Sequence, residues 1–144
     1  LALNYLNDFY SKWKKNDLVV EKWFEMMSTL NIEKQGLNLI KNLLTHKDFD
    51  YKNPNKLRSV LSTFQRDNVL LFHANDSSGY KFVSEQVAFI DKNNPQAAAR
   101  LILPLTRFTN YSHERKIKIK HVLKNINKPF ISNDLSEIID KALI

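Results

Sequence analysis

The chain has 144 residues, 43% of them hydrophobic and 26% charged, and a formal net charge of +7. This composition is typical of one soluble globular domain. The absence of cysteine excludes disulfides, thiolate metal sites and cysteine nucleophiles, and it is compatible with the reducing cytoplasm that we expect as the location. No apolar run is long enough to cross a bilayer, so we expect no membrane partner.

The whole sequence contains only two glycines and four prolines, which favours long helices. In the first half of the chain, helical periodicity predicts four helices. The predicted spans are residues 1–15, 18–30, 33–45 and 55–66. We expect Asp17 to cap the second of them, and we expect the aromatic side chains at apolar helical positions to pack in the core. The polar segment HKDFDYKNPN is expected to be a loop.

Four more helices are predicted after the turn-forming stretch HANDSSGY. They span residues 79–93, a segment that starts at Pro95, residues 112–125 and residues 133–143, with Ser78 or Asp76 capping the first and Asn94 capping the second. The sequence therefore predicts an all-α fold of about eight antiparallel helices. We expect them to stack as one armadillo-like or HEAT-like superhelical (solenoid) domain over residues 1–144.

The sequence contains no complete motif for a catalytic or metal-binding site. The stretch HERKI begins like a zinc-binding HExxH helix, but Ile117 occupies the place of the second histidine. There is no glycine-rich phosphate loop and no Gly-x-Ser-x-Gly nucleophile motif. We therefore predict no catalytic residue and no metal ligand in this chain.

A basic segment, RKIKIKH at residues 115–121, raises the possibility of nucleic-acid binding. Lys116 and Lys120 share one face of a predicted helix, which favours a solvated basic face, and we expect no nucleic-acid partner. A stand-alone helical interaction module or a basic nucleic-acid-binding domain remains the alternative.

The stretch NNPQAAARLILPL combines an apolar run with one arginine. At 100° per residue, Gln96, Arg100 and Arg107 form one polar stripe, and the alanines and most of the aliphatic residues lie on the opposite arc. Pro104 cannot donate to the carbonyl of Arg100, so a kink is expected there. The stripe is either simply solvated, or Arg100 forms a structural salt bridge with a neighbouring helix, or the stripe has a functional role.

Several motifs resemble one known family. They are FYSKWKKNDLVVEKWF, NPNKLRSVLSTF, FHANDSSGYKFVSEQVAFIDKNNPQAAARL and the final LSEIIDKALI. Together they closely resemble the C-terminal domain of bacterial-type aminopeptidase N, a family of zinc metallo-aminopeptidases. Because the chain opens on a helical pattern without an initiator Met, we expect it to be a fragment of a longer protein.

The resemblance implies a specific role. In the family, an HExxH pair and a Gly-Ala-Met-Glu-Asn loop lie in an upstream catalytic domain, which would be the partner of this one. By this resemblance, the parent enzyme would bind zinc and this fragment would bind no cofactor. We expect the fragment alone to be inactive. Arg58, Gln96 and Arg100 match positions that face the cavity through which peptide substrates reach the zinc.

The sequence departs from the family pattern in the turn HANDSSGY. Ser77 and Ser78 stand where the family commonly has Gly-Ser. Either the glycine conformation is unnecessary at this position, or the turn differs.

Overall fold

The computed structural model describes residues 1–126 and 128–144, and all regular structure in these ranges is helical. The prediction of an all-α chain is confirmed. The chain divides into two compact units, Leu1–Leu71 and Phe72–Ile144. That residues 1–144 act as one domain stays a prediction.

The first unit contains four substantial helices and the start of a short fifth. The fourth helix is composite, because an α-helical turn, a π-helical segment and a second α-helical turn follow one another without a break. The bounds are α1 Ala2–Trp13, α2 Asp17–Ser28, α3 Leu37–Leu44, α4 residues 54–67 (Pro54–Leu57, the π-helix Arg58–Ser62 and Thr63–Asp67) and α5 Val69–Phe72.

The core of the first unit forms where α2, α3 and α4 meet. Its most deeply buried side chains are Phe24, Ile40, Val60 and Phe64, each with no exposed surface. Helix α1 packs on α2 but has no buried residue of its own. The expectation that Trp13 packs in the core is wrong, since 45% of its surface is exposed.

The described residues of the second unit form four helices, α6 Ser78–Asp91, α7 Pro95–Thr106, α8 His113–Lys124 and α9 Asn133–Leu143, with a 3₁₀ turn at Lys128–Phe130. Helix α7 packs against α6 and α9, and α8 packs against α6 and α9. Large aliphatic side chains with no exposed surface fill the space between them: Ile102, Leu105, Ile119, Leu123, Leu135 and Ile139.

Side-chain caps start most of these helices. Asn94 accepts a hydrogen bond from the backbone N–H of Ala97 at 3.0 Å, and Pro95 follows as the first helical residue, as predicted. The expectation that Asp17 caps α2 is wrong. Asn16 is the cap, and Asp17 is the first residue of the helix, where its negative charge lies near the positive end of the helix dipole.

A buried carboxylate joins the end of α6 to the start of α9. Asp91, only 3% exposed, accepts hydrogen bonds at 2.6 Å from both the backbone N–H and the hydroxyl of Ser132. The same hydroxyl accepts a hydrogen bond from the N–H of Leu135 and so caps α9. Because the carboxylate orients the capping hydroxyl, these bonds fix where α9 begins.

We predict that Asp91→Ala lowers the free energy of unfolding by about 2–3 kcal/mol, because it leaves the part-buried N–H and hydroxyl of Ser132 without their charged acceptor. Urea unfolding of the chain measures this. The control is Asp134→Ala, which removes a carboxylate from the first turn of the same helix and should cost about 0.5 kcal/mol. Equal losses in the two variants would contradict a special role for Asp91.

Candidate functional site

Gln96 and Arg100 lie one turn apart on α7, and both side chains are exposed. The opposite face of the helix is buried through Ala98, Ile102 and Leu105, none of which has exposed surface. In the described part of the chain, no hydrogen bond or salt bridge engages the Arg100 side chain. The structural salt bridge that the sequence left open therefore has no partner among the described residues.

Pro104 lies inside α7, two residues before the helix ends at Thr106. Proline has no N–H, so the carbonyl of Arg100 cannot receive the usual bond from four residues onward. The helix closes with a bond of 3.1 Å from the N–H of Arg107 to the carbonyl of Leu103. The kink expected at Pro104 stays a prediction.

Arg58 belongs to the first unit, where it opens the π-helical segment of α4. The carbonyl of Arg58 accepts from the backbone N–H of Thr63, five residues onward, and the Thr63 hydroxyl lies 3.4 Å from the same oxygen. A π-helical turn inside an α-helix places one extra residue in the turn and occurs often at functional sites. Sequence periodicity does not reveal this feature.

The two basic residues of the NPNKLR motif differ in exposure. Lys56 is 5% exposed, and its ammonium group lies 5.6 Å from the centre of the Phe24 ring, with no hydrogen-bond partner within the described residues. Arg58 is exposed, and its guanidinium donates to the side-chain oxygen of Asn55 at 2.5 Å. Arg58 is therefore the residue of this pair that is available for binding.

A polar network stabilises the segment that carries the FH-x-x-D-x-SGY motif. The hydroxyl of the buried Tyr80 lies 2.5 Å from Nδ1 of His73. Arg115 donates to the His73 carbonyl at 3.3 Å and to the Tyr80 hydroxyl at 3.4 Å. Burial and the nearby Arg115 lower the pKa of His73, which favours a neutral ring that accepts a hydrogen bond from Tyr80. The motif thus has a structural use in joining α6 to α8.

Ser77 keeps the conformation that glycine would supply. Its φ is 64°, in the left-handed region, directly before α6 begins at Ser78. Asp76 accepts from the N–H of Ser78 at 2.9 Å. The expectation that Ser78 or Asp76 caps this helix is wrong, because Ser77 is the cap residue and Ser78 is the first residue of the helix. The turn retains the glycine-type geometry although a serine occupies the position.

The basic residues of α8 are largely engaged in local contacts. Arg115 belongs to the network with Tyr80, Lys118 pairs with Glu114 at 2.9 Å, and Lys120 lies 5.8 Å from the ring centre of Phe108. These contacts divide the charge among separate structural roles. That α8 presents a solvated basic face and binds no nucleic acid stays a prediction.

A cavity of about 710 Å³ lies in the second unit between α6 and the end of α8. Its lining includes Lys81, Phe89, His121, Ile126 and Phe130, and none of the three predicted channel residues borders it. Among residues 1–126 and 128–144, no cluster of three metal-ligating side chains is found. No helix in these ranges combines the length and hydropathy that crossing a bilayer requires.

The described residues form successive helices, which is the pattern of an armadillo-type fold. Residues 2–144 match the family described as "Domain of unknown function (DUF3458_C) ARM repeats". The chain belongs to this family. The predicted armadillo-like fold is thereby confirmed.

The relatives are bacterial aminopeptidases. Aminopeptidase N of Haemophilus influenzae is 38% identical over 139 residues, which are 96% of this chain and 16% of that protein. Aminopeptidase N of Escherichia coli is 37% identical with the same coverage. The crystal structure of Legionella pneumophila aminopeptidase A in complex with aspartic acid matches with a TM-score of 0.86 and 32% identity, over 96% of this chain and 16% of that one.

These matches confirm the resemblance to the C-terminal domain of aminopeptidase N. The chain spans only 16% of the length of these relatives. Arg58, Gln96 and Arg100 as channel residues stay a prediction.

We predict that Ser77→Gly stabilises the chain by about 1 kcal/mol, because a left-handed conformation costs a side-chain-bearing residue about 1–2 kcal/mol that glycine avoids. The midpoint of urea unfolding should rise. The matched control is Ser78→Gly, one residue later at a negative φ, which should leave stability unchanged or lower it. A decrease for Ser77→Gly would show that the serine side chain contributes more than its backbone strain costs.

Proposed function

We propose that this chain is the terminal helical domain of a zinc aminopeptidase, in which it covers the catalytic domain and forms part of the wall of the peptide-access cavity. The similarity to aminopeptidases over 96% of the chain supports the enzyme class. The observation that carries the specific role is the exposed Gln96–Arg100 pair on α7, whose side chains face away from the core of their own unit.

The chemistry of the pair suits a peptide. The Arg100 guanidinium is permanently charged and offers a planar set of donors, which matches a carboxylate or successive carbonyl oxygens. The Gln96 amide both donates and accepts, so it can bond to either side of a peptide group. Both are held on a helix anchored by its buried face, and side chains on rigid elements are placed more precisely than those on loops.

Arg58, in the first unit, is likewise proposed as a cationic residue of the peptide channel. Its position at the start of a π-helical segment and its exposed guanidinium support this role. The three side chains would bind the substrate without entering the bond-breaking step. Their effect should therefore fall on KM more than on kcat.

Catalysis would depend on groups outside this chain. The described residues contain no cluster suited to a metal ion, so the zinc of the parent enzyme would be held by the catalytic domain. That domain is the proposed partner in the same polypeptide, peptides are the proposed substrates, and the cytoplasm is the proposed location. The isolated chain is proposed to have no peptidase activity.

We predict that Arg100→Ala in the full-length enzyme raises KM for short peptides about tenfold, which corresponds to about 1.4 kcal/mol of binding energy. The kcat should change less than about twofold, because Arg100 is proposed to bind the substrate and the transition state equally well. Steady-state kinetics on unmodified di- and tripeptides measure both constants, and metal analysis should find the same zinc content as in the wild type.

Arg107→Ala is the matched control, because it removes the same charge from the exposed residue that follows α7. It should leave KM within about twofold of the wild-type value, because binding at this site is assigned to Arg100. An unchanged KM for Arg100→Ala, or equal effects in the two variants, would contradict the proposed role.

A further inference from the structure

The side chain of Asn55 forms a hydrogen bond that can orient the guanidinium of Arg58. The two residues are three apart in α4, a spacing that places side chains side by side on a helix. The guanidinium of Arg58 donates to Oδ1 of Asn55 at 2.5 Å, and both side chains are exposed. Within the described residues this is the single hydrogen bond that the Arg58 side chain makes.

The backbone of Asn55 is fixed independently of its side chain. Its N–H donates to Oδ1 of Asn53 at 2.9 Å, and its carbonyl accepts from the Ser59 hydroxyl at 2.7 Å. Pro54, at the first helical position, restricts φ just before it. The amide of Asn55 therefore projects from a rigid turn, and among the described residues its contact with Arg58 is the one hydrogen bond that a side-chain truncation would remove.

The backbone of Arg58 is fixed as well. Its carbonyl receives both donors of Thr63 through the π-helical turn, and the neighbouring Ser59 and Val60 are buried. Among the described residues, the bond to Asn55 is what restricts the long side chain of Arg58. Ordering such a side chain on binding costs about 0.5–1.5 kcal/mol, which corresponds to about twofold to twelvefold in affinity.

We propose that Asn55 is a positioning residue for Arg58. Its amide oxygen holds one edge of the guanidinium, and the remaining N–H donors stay available for a peptide carboxylate or carbonyl. This inference rests on the proposed role of Arg58 in the peptide cavity. It adds a residue that contacts the arginine instead of the substrate.

The test is a double-mutant cycle in the full-length enzyme, with short peptides as substrates. Asn55→Ala should raise KM about threefold to tenfold with kcat unchanged, since it removes the preorganisation of the arginine. Arg58→Ala should raise KM at least as much. The double variant should match Arg58→Ala alone, because Asn55 acts only through Arg58. Asn55→Asp keeps an acceptor at the same place and should restore KM to within about twofold of wild type.

Three outcomes would overturn the proposal, and they differ from one another. If Arg58→Ala leaves KM unchanged, the proposed role of Arg58 is wrong and the inference falls with it. If Arg58→Ala raises KM but Asn55→Ala does not, only the positioning role is wrong. If Asn55→Ala raises KM equally in the presence and absence of Arg58, Asn55 acts by another route. Asn7→Ala, at an exposed position of α1, is the control and should change neither constant.

Discussion

The burial of one face of α7 determines which side chains of that helix are exposed and can contact a ligand. Ala98, Ile102 and Leu105 have no exposed surface, and burying each of the two larger side chains stabilises the fold by about 1.5–3 kcal/mol. An exposed arginine gains at most about 1 kcal/mol from a surface contact. The core therefore sets the rotation of the helix, and Gln96 and Arg100 face outward whatever they bind. This constraint gives the proposed cavity wall its rigidity.

The sequence predicts helices well where apolar periodicity and a capping residue agree. The predicted and observed bounds coincide for α9, and Asn94 with Pro95 places the start of α7 correctly. Helix α3 is shorter than predicted because Lys34 and Gly36 both have positive φ, which an α-helix cannot contain. The four-residue helix α5 was missed because so short a segment shows no period.

The candidate site was only partly predictable. The helical wheel places Gln96 and Arg100 on the exposed side of α7, but it cannot distinguish a solvated stripe from a binding surface, so the substrate role came from the resemblance. Asn55 and Arg58 have the spacing of neighbours on a helix, which would have suggested their contact. The π-helical turn has no such signal, because its hydrogen bonds depend on where Thr63 sits in the folded unit.

The most direct test of the central claim is a structure of the full-length protein with a non-hydrolysable peptide analogue bound. The account predicts that the Arg100 guanidinium or the Gln96 amide lies within about 3.2 Å of a peptide oxygen or nitrogen, or reaches it through one water. A structure in which the exposed face of α7 points to bulk solvent, or is covered by another domain away from the peptide, would contradict it.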